Sequence, residues 1–242
     1  MTRLLILGSL AYIMVGIAQL VIGTVMEPMV HAYGVSYSDG GQLVMHQFVG
    51  GMAGILCAPW LMRRIGKKGL LLLALGLVVI VQTVYALEPA WPVMLAVAPF
   101  TGIGFGITEA TVASFVITAA GDNANKAMSR IEVFFGIGAL IMPFIGSLLI
   151  SSGHWKMSFV AVAVIAVVTF VSWLLFWPKV LDKSREESGE AVALKRAGGS
   201  MRVGARVTFA ACIVFFFLYV GMEMSFVHYL PSMLVQNNGL AD

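Results

Sequence analysis

Apolar residues fall into seven long runs: Leu4 to Glu27, Gln42 to Met62, Gly69 to Leu87, Pro92 to Thr118, Met128 to Ile150, Trp155 to Trp177 and Val207 to Leu230. A helix needs about 20 mostly apolar residues to cross a hydrocarbon core of roughly 30 Å. Backbone N–H and C=O groups find no water in that core, so the runs predict membrane-spanning helices. The expected fold class is an all-α integral membrane protein. Most connections are short. The stretch 179–206 is long and carries Asp182, Lys183, Arg185, Glu186, Glu187, Glu190, Lys195, Arg196, Gly198 and Gly199, a solvated linker. It divides a six-span bundle over 1–178 from a seventh span and the start of an outer loop over 207–242. Six spans, a charged inner loop and a new series is the layout of a two-half transporter. On that reading the chain is truncated from twelve spans, and a missing C-terminal half is the expected partner.

Local signals mark the boundaries. Asp39 is placed to cap span two and Pro92 to open span four. Asp122 and Asn125 precede span five, and Pro178 closes span six. Small residues recur inside the spans: Gly50, Gly54 and Cys57 below His46; Gly102, Gly104 and Gly106; and Gly136, Ala139, Pro143 and Gly146 on one stripe. Such stripes allow close helix contact, and they suit helices that slide on one another.

Composition and charge add an orientation. Sixty per cent of residues are apolar and 11% charged, which excludes an ordinary soluble domain. Arg3, the group Arg63, Arg64, Lys67 and Lys68, the pair Lys126 and Arg130, and seven cations between Lys179 and Arg206 all fall on one side of the ladder. Only Lys156 falls on the other. Positive loops stay in the cytoplasm, so the N-terminus is expected inside, in a multi-pass protein of a bacterial inner membrane. The net charge of +3 thus signals topology and not a nucleic-acid partner. The first run is too long for a cleaved secretory signal and reads as a retained span. Cys57 and Cys212 both lie inside spans, which argues against a structural disulfide. No P-loop, H-E-x-x-H or Cys/His cluster is present, so neither an enzyme nor a metal site is expected.

Acids inside the spans are the candidate chemistry. Glu109 shares a face with Gly102, Gly106 and Ala113, and small residues point at neighbouring helices. A charged acid at a helix centre costs roughly 2.5–3.5 kcal/mol. No Lys or Arg falls in a span to offset that cost, so Glu109 suits a proton carrier; a hydrogen-bonded structural glutamate is the alternative. In span seven, Glu223 is flanked by Tyr219 and Phe226, an aromatic and polar stripe suited to a polyhydroxylated ligand or to ordinary packing. Glu132 follows Arg130 closely and reads as interfacial or paired with another helix. Gln19, His46, Gln47 and Gln82 are uncharged polar candidates for a cavity, or for interhelical hydrogen bonds.

These residues resemble the major facilitator superfamily. Its inner loop after span two carries G-x-x-x-D-R-x-G-R-R. Here Pro59 to Lys68 reads P-W-L-M-R-R-I-G-K-K, in which Arg64, Gly66, Lys67 and Lys68 match while Pro59 and Arg63 replace the glycine and the aspartate. Gly102-Ile103-Gly104-Phe105-Gly106-Ile107-Thr108-Glu109 is similar to the fourth span of the fucose–proton symporter family, and most of all to its bacterial glucose/mannose–proton branch. The runs Ser129 to Leu140, Phe217 to Glu223 and Tyr229 to Ser232 are similar to that branch too. An arginine common in span four of the superfamily is replaced by Ala98, and the span-one acid of fucose permeases by Thr24.

The resemblance implies a secondary active transporter. A sugar and a proton move together by alternating access, with protons as coupling ion and no other cofactor. It implies Glu109 as the proton site and Gln47 and Glu223 as sugar contacts, with Gln19, His46 and Tyr219 as further substrate candidates. A drug–proton antiporter of the same superfamily is the rival. Its G-x-x-x-G-P-x-x-G-G is met at Gly138 to Ser147 by G-A-L-I-M-P-F-I-G-S, where Met142 and Ser147 replace glycines. A non-transporting truncated product is a further alternative. A seven-span photoreceptor would need a lysine in its last span, and none follows Lys195.

Overall fold

The computed structural model describes residues 1–178, 180 and 181, and then 211, 214, 215, 218, 221 and 222. The expectations for Tyr219 and Glu223 lie outside the described residues. The chain forms two compact units, Met1–Asp182 and Lys183–Asp242. The described residues of the second unit are helical. The first unit contains α1 (Thr2–Thr24), α2 (Met26–Tyr33), α3 (Tyr37–Ala86), α4 (Trp91–Ala120), a 3₁₀ turn (Gly121–Asn123), α5 (Ala124–Ser151) and α6 (Met157–Leu175). Among the described residues all regular structure is helical, and the expected fold class holds.

Four stretches are long and apolar enough to cross a membrane: Thr2–Thr24, Tyr37–Ala86, Trp91–Ser151 and Met157–Leu175. Two of them are long enough for two crossings each. The 50 residues of α3 would span about 75 Å as one straight rod, far more than a bilayer core. Gly66 breaks it, with φ 77° and ψ 166° inside the otherwise helical run. A built Cβ at Gly66 meets nothing within 4 Å, so the glycine is required by its left-handed φ and not by crowding. The break separates a first arm before Gly66 from a returning arm after it. Trp91–Ser151 likewise divides at the 3₁₀ turn into α4 and α5.

Two boundary expectations are corrected. Span one does not run to Glu27. Helix α1 ends at Thr24, the chain turns at Val25, and Met26–Tyr33 forms a separate short helix closed by Gly34 at φ 64°. Asp39 is not the cap of span two. Ser36 is the N-cap, accepting from the Asp39 N–H, while the Asp39 carboxylate accepts from the Ser36 N–H at 3.0 Å, a capping box.

Helix α1 is the central post, with buried residues on every side. It packs chiefly on α5 and also meets α4 and α6. Gly16 lies against the Phe135 carbonyl oxygen, and Gly138 against that of Ile13. Glycines on both helices thus let the two backbones touch. The stripe expected on span five is adjusted. Gly138, Ala139 and Gly146 face α1, whereas a Cβ at Gly136 meets nothing within 4 Å. Trp173, fully buried, donates its indole N–H to the Leu7 carbonyl at 3.1 Å and ties α6 to α1. Outward faces are apolar: Leu56, Leu140 and Phe144 are 75%, 78% and 69% exposed. Such a surface suits lipid, since water would penalise it.

Candidate functional site

The segment from Gly102 to Gly106 alternates glycines, and the helical period explains what that does. At about 100° per residue, Gly102 and Gly106 share one face and Gly104 points almost opposite. Gly102 lies against the Gln47 carbonyl oxygen and the Gly51 amide, and Gly106 against the Gly51 carbonyl. Gly104 lies against Val78 and the Ala74 carbonyl oxygen of the returning arm. Helix α4 is therefore clamped between both arms of α3, with backbone contact on two sides. Gly50 and Gly54 complete the first contact against Pro99 and Ile103. Cys57, expected in the same stripe, is exposed instead.

One turn beyond this clamp, Glu109 meets α1. Gln19 donates its Nε2–H to Glu109 Oε1 at 3.1 Å. Two turns along the same face of α1, the buried Tyr12 hydroxyl donates to the Glu109 backbone carbonyl at 3.5 Å. Both Gln19 and Glu109 are half-buried. Glu132 is exposed on α5. The arrangement is a carboxylate on a membrane-depth helix, held by one neutral donor. No cation pairs with it among the described residues.

The other candidates divide. Gln47 is buried at 4% exposure, and its Oε1 has no partner among the described residues. Its backbone opposes Gly102, seven residues before Glu109, or about 10 Å along α4. His46 is half-buried, with Nδ1 2.6 Å from the Gln42 carbonyl, to which Nδ1–H donates. The structure thus joins Gln19 to Glu109 directly and sets Gln47 on the adjoining arm. Tyr12, Thr108 and Thr111 were not singled out in the sequence. Both threonines are fully buried beside Glu109, and neither hydroxyl has a described partner. The seven-residue spacing of Tyr12 and Gln19 is the signal that could have found Tyr12.

At the basic end, Gly66 turns the chain between exposed cations. The Arg64 guanidinium sits over Trp60 at 5.4 Å and the Lys68 ammonium over Trp177 at 5.8 Å. Lys67 is half-buried between them.

Comparison with known proteins agrees with this architecture. Residues 8–241 match the model of the Major Facilitator Superfamily. The chain is 29% identical over 240 residues to the glucose/mannose transporter GlcP of Bacillus subtilis (strain 168), covering 96% of this chain and 58% of that one. It is 23% identical over 150 residues to bypass of stop codon protein 6 of Saccharomyces cerevisiae, covering 61% of this chain and 30% of that one. The chain therefore spans less than two thirds of the length of these relatives. With the family match running over nearly the whole chain and four stretches long and apolar enough to cross a membrane among the described residues, the chain belongs to the Major Facilitator Superfamily.

Proposed function

We propose that this chain forms the N-terminal bundle, and the first span of the second, in a transporter that carries a hexose or related small sugar together with a proton. Glu109 is the proton site, and Gln19, His46 and Gln47 are substrate contacts; Tyr219 and Glu223 are candidates from the second unit. The observation that carries the reading is the Gln19–Glu109 pair, 3.1 Å long between α1 and α4. A carboxylate at membrane depth without a cation is costly as an anion and cheap as a neutral acid. Its single neutral donor leaves it free to take up and release a proton. The name of the B. subtilis relative, a glucose/mannose transporter, supports a sugar as substrate. The apolar outer faces support a bilayer as surroundings, and the charge ladder supports a cytoplasmic N-terminus in a bacterial inner membrane.

The test is uptake by the full-length protein in proteoliposomes. Glu109→Gln should abolish concentrative sugar uptake driven by a proton gradient while sparing sugar exchange. Undiminished accumulation removes Glu109 from the coupling role. Drug-driven proton movement with no response to sugar favours the antiporter.

A further inference from the structure

At the basic end of the first unit, a cavity of about 300 Å³ opens between the start of α1, the end of α4 and the start of α5. Its lining includes Met1, Leu5, Asn123, Lys126, Ala127 and Arg130. It lies away from the Gln19–Glu109 pair and takes no part in the proposed transport. Its lining is mixed. Leu5, Ala127 and the alanines that end α4 are aliphatic. Lys126 and Arg130, one turn apart on α5, are cationic.

Like charges at this spacing repel, by a few tenths of a kcal/mol in an isolated helix. Neither is in an ion pair with a described residue. The lining also includes Asn123 at the opening of α5, where it makes no side-chain cap bond and first-turn N–H groups carry partial positive charge. A concave site lined by two cations and by aliphatic groups fits an amphiphilic phosphate. A guanidinium can take two phosphate oxygens and an ammonium a third, while aliphatic side chains meet the carbon attached to the phosphate. Its place at the bundle end, where the spans leave the hydrocarbon, matches the depth of lipid headgroups.

We propose that this cavity is an anion site for a phosphate ester, filled by the headgroup of an acidic phospholipid. The measurement is thermal unfolding of the full chain in detergent, titrated with phosphatidylglycerol, phosphatidylcholine, glycerol 3-phosphate or inorganic phosphate. Phosphatidylglycerol should raise the midpoint in a saturable way, and phosphatidylcholine should not. Each cation near a membrane surface is worth about a fivefold change in affinity, so Lys126→Gln/Arg130→Gln should weaken the half-saturation about thirtyfold.

The single variants should each weaken it about fivefold and keep the test readable if the double variant folds poorly. Swapping the charges, Lys126→Arg with Arg130→Lys, should retain the shift. A shift by inorganic phosphate or glycerol 3-phosphate that matches the lipid's and vanishes in the double variant supports the site with a soluble ester as occupant. Equal phosphatidylglycerol shifts in wild type and double variant overturn it. An equal loss in Arg63→Gln/Arg64→Gln overturns it too, because the effect would then be general surface charge.

Discussion

Gln19 and Glu109, 90 residues apart in sequence, join α1 to α4 through one hydrogen bond of 3.1 Å from Nε2 to Oε1. Its partners are an amide and a carboxyl group, so the worth of the contact depends on the charge of Glu109. Gln19→Leu should destabilise the first unit by about 0.5–1.5 kcal/mol where Glu109 is protonated and by about 1.5–3 kcal/mol where it is ionised. The exchanged pair, Gln19→Glu with Glu109→Gln, rebuilds the bond with its polarity reversed. It should recover most of that stability without restoring proton-driven uptake. Chemical unfolding in mixed micelles measures the first effect and proteoliposome uptake the second. Recovery of both would show that the position of the acid on α4 is immaterial to coupling.

The glycine clamp makes a sharper contrast. A Cβ at Gly102 meets the Gln47 carbonyl and sits 2.6 Å from the Gly51 amide nitrogen, both backbone atoms that cannot swing aside. Gly102→Ala should therefore cost about 3 kcal/mol, at the upper end for overpacking. Gly136→Ala, on a helix face where a Cβ meets nothing within 4 Å, should gain roughly 0.5–1 kcal/mol from helix propensity. The same chemical change has opposite signs at two positions. Unfolding midpoints of the two variants check this, and equal effects would mean α4 and α3 are less closely packed than described.

These positions also show what could be read from the residues alone. The spans follow directly from apolar run length, because a bilayer imposes one length on every crossing. The Gly102–Gly106 face was legible from helical periodicity, which fixes direction within one helix. Which neighbour that face meets was not, since the approach of Gly102 to Gln47 depends on packing between separate helices. For the same reason Glu109 and Gln19 could each be singled out, but not that they pair. Gly138, which touches α1, could not be told from Gly136, which touches nothing, because both are equally small. Short helix α2 was not legible because the apolar run from Leu4 continues past the turn at Val25 without a break in hydropathy. Its Pro28 occupies the first turn, where a missing N–H costs nothing.

The capping box at the start of α3 carries a pH dependence. Asp39 accepts from the Ser36 hydroxyl at 2.7 Å and from the Ser36 N–H at 3.0 Å. These bonds to its charged form hold its carboxyl below the ordinary carboxylate value of 3.8. The sign follows from linkage. A carboxyl depressed by folding contributes stability that is present above the unfolded value and lost as pH falls through the folded one. Wild type should thus lose stability relative to Asp39→Asn as pH drops below about 4. Ser36→Ala, which removes one of the two donors and the cap itself, should lower the midpoint by a few degrees at neutral pH and flatten this acid dependence. Melting curves between neutral and acidic pH read both, and parallel curves for all three proteins would exclude the box as the source.

At the opposite boundary of the returning arm, Glu88 combines a gain and a cost. Its carboxylate pairs with the Lys156 ammonium at 2.5 Å, both side chains being nearly half exposed at 41% and 46%. An exposed pair of this kind contributes about 0–1 kcal/mol and is screened by salt. Glu88 also has φ 54°, in the left-handed region where a non-glycine residue costs roughly 1–2 kcal/mol. The backbone term is the larger. Glu88→Gly, which loses the pair but relieves the strain, should leave stability level or raise it by up to about 1 kcal/mol. Glu88→Gln keeps the strain and loses the pair, so it should lower stability by less than about 1 kcal/mol. The second difference should shrink in high salt and the first should grow, because salt weakens only the interaction that Glu88→Gly gives up. Unfolding of the three proteins at low and high ionic strength decides it; a glycine variant less stable than wild type at low salt would mean the ion pair outweighs the backbone, and one less stable than the glutamine variant at both would mean the backbone stores no strain there.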